Sequence, residues 1–470
     1  MIRSKRPSCG AAGKGDFGVG KRRFRPVLWL GLLLTLSGCF STTVDDLYCP
    51  PKLPQNYVQL DARINALLAE LGAEYASPKT GGNTAPVQLQ DLDGDGQSES
   101  IVTFFRANSG EQPLKIYVFH RNADDSYDIA YTIQGDGLAI QSVKYVDLDG
   151  DGGKEIVVSW RMGARQFLLT PYQLTQAGAI QLAEISYNHG YIDCDLDQDG
   201  RRELMVFRTD DADPDNGSAE WYVYDDNGRV TQSQSAPLSD KAGGDASIRE
   251  GSLKDNVPAV YISSKSGDGT VTDVFALRSD TLKNITLNDQ TGISSQTLRM
   301  VDISPTDINR DGILELPEPV AVKEASSTGS GASNFWLIRW RQYEVIGSSE
   351  VVLTTYHNFS DGWYLAVPDS WIWDITISRD DSRTNQGERA VVFSRWSGDP
   401  EAAPQEFLRI YRLEGENREL RAQRGNRFVL LRSSRLIYAA EFTDIGWDSG
   451  VTRETLGTRF ALSRIEWSNQ

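Results

Sequence analysis

Histidine and cysteine are scarce in this chain of 470 residues, and that scarcity removes several chemistries at the outset. Only His120, His189 and His357 occur, unclustered, which argues against a zinc site built on imidazoles. Four cysteines are present, and no Cys/His pair suggests a thiol nucleophile. Neither a Gly-x-Ser-x-Gly elbow nor a phosphate-cradling glycine loop is found. Long apolar runs are missing as well, since Val27 to Leu36 is too short to span a bilayer. Positive charge is in deficit, with 48 Lys+Arg against 65 Asp+Glu and a net charge of −17. Nucleic acid and anionic lipid headgroups are therefore poor partners.

What the chain has in excess is aspartate at fixed spacing. Asp91, Asp93, Asp95, Gln97 and Glu99 occupy positions 1, 3, 5, 7 and 9 of a nine-residue loop, with Gly96 at position 6 and Ile101-Val102-Thr103-Phe104 following as a strand. The arrangement returns at Asp147, Asp149, Asp151, Gly153 and Glu155, and again at Asp195, Asp197, Asp199, Arg201 and Glu203. A fourth copy reads Asp307, Asn309, Asp311, Ile313 and Glu315. Calcium takes six to eight oxygens at roughly 2.3–2.6 Å, and a short loop with oxygens at alternate positions wraps it. Positions 1, 3 and 5 offer side chains, position 7 a backbone carbonyl and position 9 a carboxylate. Without a cation, carboxylates this close repel one another. Calcium is the expected cofactor.

An EF-hand needs a bidentate glutamate at position 12 and flanking helices. Position 12 of the first three copies is Val102, Val158 and Val206, inside the following strand, which excludes that motif there. The fourth copy carries Glu318 at position 12, but Pro305, Pro317 and Pro319 oppose the helices an EF-hand requires. Whether Glu315 or Glu318 closes that loop stays open at this point.

The loops recur at a period. Asp91 to Asp147 is 56 residues, Asp147 to Asp195 is 48, and Asp195 to Asp307 is 112, twice 56. A degraded copy is expected near 251, where Ser252-Leu253-Lys254-Asp255-Asn256 precedes Val257-Pro258-Ala259-Val260-Tyr261-Ile262 without the carboxylates. Short alternating runs between the loops, with Asp-Asn-Gly-like turns and no helical period, indicate propeller blades rather than a helical solenoid. The expected architecture is mainly β: a propeller of about five blades over 76–350 and an α+β domain over 351–470. The alternative is one seven-bladed ring, because Trp363 lies 56 residues after Asp307. Eight of the eleven tryptophans lie from Trp336 onward, and Trp371 and Trp373 are expected on one strand face. Strands are expected at 390–394, 407–413, 427–431 and 436–442, and a helix at 452–461.

The N-terminus reads as an export signal over 1–38, with Lys21, Arg22, Arg23 and Arg25 before the apolar core. Leu36-Ser37-Gly38-Cys39 resembles the bacterial lipobox, which implies cleavage before Cys39 and lipidation of its thiol. Residues 1–38 carry eight Lys+Arg and one Asp, so the mature chain has a net charge of −17 − 7 = −24. Residues 39–56, with Pro50, Pro51 and Pro54, form a tether. Leu60, Ile64, Leu67, Leu68 and Leu71 then mark an amphipathic helix within 57–75, stopped at Gly72. Cys49 and Cys194 remain as two thiols whose pairing the sequence leaves open.

The Asp-x-Asp-x-Asp-Gly-x-x-Glu loops followed by strands resemble the FG-GAP/VCBS repeats of integrin-type β-propellers. With Thr43-Val44-Asp45-Asp46-Leu47 and Pro50-Pro51-Lys52-Leu53 after the lipobox, the chain is similar to VCBS-repeat lipoproteins of Gram-positive, clostridia-like bacteria. The resemblance implies calcium, a propeller and a membrane anchor on the extracytoplasmic face; it implies no activity and no catalytic residues. The expected function is a non-catalytic binding or scaffold module at the cell envelope, with an envelope protein or glycan as partner. The alternative is an envelope glycan hydrolase or lyase using a pair of carboxylates.

Overall fold

The computed structural model describes residues 55–463, apart from 99, 109, 123–125, 210–216, 240–242, 326–334 and 400. The export signal, Cys39, Cys49, the tether up to residue 54 and Glu99 lie outside the described residues. No helix among the described residues is long and apolar enough to cross a membrane.

Leu60–Gln470 forms one compact unit. It is mainly β, and its described residues form six antiparallel sheets of four or five strands, taken up in chain order. The central strands of the first sheet are Ser100–Ala107 and Leu114–Arg121; those of the second are Glu155–Arg161 and Phe167–Thr175. In the third they are Glu203–Arg208 and Ser218–Tyr224, and in the fourth Val257–Ser266 and Gly269–Arg278. The fifth sheet runs Leu316–Ala321, Trp336–Tyr343, Ser349–Asn358, Trp363–Val367 and Phe460–Leu462. The sixth runs Ile375–Asp380, Glu388–Arg395, Gln405–Glu414, Leu436–Phe442 and Phe428–Arg432.

The sheets stack face to face, and the sequence explains how. Strands buried on both faces read as unbroken apolar runs, and alternate side chains serve opposite neighbours. Ile156 and Val158 join Val102, Phe104 and Ile116 of the first sheet, whereas Val157 joins Leu204 and Val206 of the third. Met205 and Phe207 turn the other way, to Val260, Ile262 and Phe275 of the fourth. Tyr261 and Val274 meet Leu316 and Tyr343 of the fifth. The largest cluster joins Leu337, Tyr356, Trp363 and Leu365 to Ile375, Phe393, Phe407 and Ile410 of the sixth.

Both ends of the stack are covered. Helix Gln55–Leu71 places Leu60, Ile64 and Leu67 over Ile101, Phe105, Tyr117 and Phe119 of the first sheet. It ends where Gly72 adopts φ 56°, a left-handed conformation that costs glycine little. On the outer face of the sixth sheet, Ala422 of the short helix Arg418–Ala422 packs with Tyr411, Leu413, Ile437 and Ala439. Among the described residues, no apolar cluster joins the first sheet to the sixth.

The structure bears on three expectations. The break expected near 350 falls inside Ser349–Asn358, which pairs with Trp336–Tyr343 on one side and Trp363–Val367 on the other. The described residues form six sheets, the number that five blades and a separate C-terminal sheet would give and one fewer than the seven-bladed alternative. Trp371 and Trp373 share no strand face, because the amides of Trp371, Ile372 and Trp373 donate to Pro368, Asp369 and Ser370 and wind a helical turn. Trp371 is buried and donates from Nε1 to the Ser449 carbonyl at 2.7 Å, while Trp373 is 67% exposed. The degraded copy keeps its place: Lys254–Asn256 is a short turn between Gly243–Leu253 and Val257–Ser266. The expected C-terminal helix is Arg453–Arg459, capped by Thr452.

Candidate metal centre

The second and third aspartate loops join the first two strands of their sheets, the first joins Val87–Gln90 to Ser100–Ala107, and the fourth runs directly into Leu316–Ala321; in each, carboxylates fold the loop by taking its own amides. In the second loop Asp147 accepts from Gly150 at 2.7 Å and from Gly152 at 3.1 Å. Asp149 accepts from Asp151, and Asp151 from Gly153 at 2.7 Å. The first loop repeats this with Asp91 holding Gly94 and Gly96, and Asp95 holding Gln97. Asp307 holds Asp311 and Gly312 in the fourth. The turn demands glycine at position 6, where Gly96, Gly152, Gly200 and Gly312 have φ of 87°, 91°, 89° and 88°. Position 4 is left-handed too; Gly94 and Gly150 adopt it freely, whereas Gln198 and Arg310 carry side chains there at φ 60° and 67°.

The described position-9 glutamates are buried, Glu155 and Glu203 at the start of a strand and Glu315 just before one: Glu155 is 3% exposed, Glu203 4% and Glu315 0%. Each accepts from the position-2 amide of its loop, Leu148 at 2.8 Å, Leu196 at 3.1 Å and Ile308 at 2.9 Å. Burial, reinforced by neighbouring aspartates, pushes Glu155 and Glu203 up to about 7 and raises Glu315. A cation at the loop would oppose that shift by favouring the ionised form.

Three loops bring carboxylate oxygens within 4.8 Å of one another: Asp91, Asp93 and Asp95; Asp147, Asp149 and Asp151; and Asp195, Asp197, Asp199 and Glu203. The third set fits a cation best. It gathers four carboxylates, and Asp195 Oδ1 is buried without a hydrogen-bond partner. An oxygen so placed is satisfied by a positive ion. Arg201, expected to serve through its carbonyl, also pairs its guanidinium with Asp199 at 2.7 Å. In the fourth loop Asp311 instead takes the amide nitrogens of Asn309 and Gln342. Glu318 stands apart from that loop, in the strand Leu316–Ala321, where it accepts from Arg341 at 2.7 Å; Glu315 occupies the closing position.

The loops form a connected row. The Lys154 amide donates to the Leu92 carbonyl at 2.8 Å, and the Arg202 amide to the Asp147 carbonyl at 3.1 Å. A β-carbon on Gly94 would run into the Gly152 carbonyl oxygen.

One related loop is invisible to the aspartate pattern. Asp380 and Glu388 of the sixth sheet keep the position-1 to position-9 spacing, with Ser382 and Thr384 at positions 3 and 5. Glu388 is 4% exposed and begins its strand as Glu155 and Glu203 do. Its partner is a guanidinium: Arg427 Nη2 lies 2.8 Å from Glu388 Oε1, with both side chains 5% exposed. The buried glutamate at the strand start was the signal that could have found it.

No family model matches this chain, and no curated protein does. Among solved structures it is similar to a protein from Lactobacillus plantarum, with 9% identity, 74% of this chain and 93% of that chain covered, and a TM-score of 0.26. The exotype rhamnogalacturonan lyase YesX gives 11% identity, coverage of 69% and 71%, and a TM-score of 0.27. The Chaetomium thermophilum Sqt1 gives 14%, 80% and 100%, and 0.29. Likenesses this weak carry no argument about what the chain does.

Proposed function

We propose that this is a lipid-anchored, extracytoplasmic calcium-binding repeat protein, a non-catalytic binding or scaffold module of propeller type at the cell envelope. The observation that carries the calcium reading is the gathering of Asp195, Asp197, Asp199 and Glu203, with one buried aspartate oxygen left without a hydrogen bond. Antiparallel sheets that each carry such a loop or its remnant near their first strands support a propeller-type scaffold. The lipobox-like Leu36-Ser37-Gly38-Cys39 supports the anchor. Cations in the loops hold their carboxylates ionised and unavailable as proton donors, so the acidic clusters serve rigidity rather than turnover.

The test is thermal melting with and without calcium. A ligand bound only by the folded state stabilises by about 2.7 kcal/mol at a hundredfold excess over Kd. Chelator should lower the Tm, Asp197→Ala should remove part of that shift, and Asp255→Ala should leave it intact. Identical melting with and without calcium would end the metal reading. Mass spectrometry of the mature N-terminus should find a lipidated Cys39, and Cys39→Ala should release the protein or leave it unprocessed.

A further inference from the structure

Between the first two sheets, at their loop end, lies an open cleft of about 390 Å³, within the range of roughly 300–1,000 Å³ that holds small molecules. Its apolar lining comes from Leu92, Val118 and Leu174, with the ring of Tyr131 beside them. Polar groups converge from both sides: Asp93 from the first loop, Asp151 and Lys154 from the second, and His120 from the strand Leu114–Arg121. Building on the reading of the chain as an envelope binding module, we infer that this cleft binds a neutral pyranose unit of a polysaccharide.

Three features select that class. A sugar ring has an apolar face that packs on an aromatic ring and aliphatic side chains. Its hydroxyls both donate and accept, matching carboxylate acceptors interleaved with the Lys154 ammonium and the His120 imidazole. Charge disfavours an anionic ligand. An anion would meet Asp93, Asp151 and Glu155 against the single ammonium of Lys154. A neutral polyol meets no such repulsion.

The probe is a set of neutral oligomers (glucan, galactan and mannan) and polygalacturonate, titrated against the full chain with and without calcium. At least one neutral oligomer should bind, and Tyr131→Ala should weaken it tenfold or more. His120→Ala, at an exposed position that folding does not need, should weaken it severalfold. Both variants should keep the calcium-dependent Tm shift, which separates the cleft from the loops. Should chelator leave melting unchanged while these variants lose the sugar, the calcium reading fails and the cleft stands. The proposal is overturned if no neutral oligomer binds, if both variants bind within twofold of the parent, or if polygalacturonate alone binds and only with calcium.

Discussion

The backbone amide of Lys154 donates to the carbonyl of Leu92 across 2.8 Å, tying the second aspartate loop to the first. Lys154 Nζ also lies 3.9 Å from Asp91 Oδ2. The Arg202 amide ties the third loop to Asp147 in the same way. A cation that orders one loop therefore fixes backbone groups held by the next, and part of the ordering entropy is shared.

Metal binding should accordingly be coupled along the row. Asp149→Ala is expected to abolish binding at the second loop and to weaken the first and third severalfold, read by calorimetric titration. Loss of one site with unchanged affinity at the other two would show that the loops act independently.

Truncation supplies a second test. A chain ending at residue 350 loses nearly all of Ser349–Asn358 and all of Trp363–Val367, and strips Leu337 of its packing against Tyr356 and Phe393. It should aggregate, whereas a break at a true domain boundary would leave a folded, monomeric product by size-exclusion chromatography.

His357 gives an acid-linked prediction. Burial lowers its pKa to about 3; its Nε2 lies 2.8 Å from Thr355 Oγ1, and the ring stacks on Phe359 and Tyr364. The unfolded chain takes up a proton near pH 6.5, and the native chain does not until far lower. Stability is therefore unaffected by this group above about pH 6.5 and falls as pH drops toward 3, at roughly 1.4 kcal/mol per pH unit at most. His357→Gln should flatten that part of the profile in denaturant titrations at pH 7 and pH 4.5.

Arg427 and Glu388 make a contrast with the loops. Burial alone would push Glu388 up, but Arg427, with Arg383 and Arg421, holds it below the usual carboxylate range. Arg427→Ala leaves a buried glutamate without its partner and should cost about 3–5 kcal/mol. Because the cation is part of the chain, that loss should be the same with calcium and with chelator. A loss that calcium repairs would make the sixth-sheet loop a metal site after all.

The repeated part of the fold was legible because its constraints are local. Glycine at position 6, aspartates at alternate positions and an apolar strand behind them are all short-range demands, and the Asp255 turn was found from period alone. The aspartates gathered as read in three loops, while Glu318 was drawn away by Arg341, a partner from the neighbouring strand. The C-terminal third was harder to read. Its fifth sheet is completed by Phe460–Leu462, almost a hundred residues after Trp363–Val367, and no local pattern announces such a return. The loop at Asp380 escaped because its cation is supplied by Arg427, 39 positions beyond Glu388.

The chain thus holds two departures from the fully acidic loop. The turn at Lys254–Asn256 keeps Asp255 as its one acid, so little charge is left there to neutralise. The sixth-sheet loop has kept its buried acid and internalised the counter-charge. A descendant of the remaining loops in surroundings poor in divalent ions would have both routes open, and the second demands only one well-placed arginine. If the remaining loops hold a cation, either route would free them from the medium one unit at a time, while every sheet kept its neighbours.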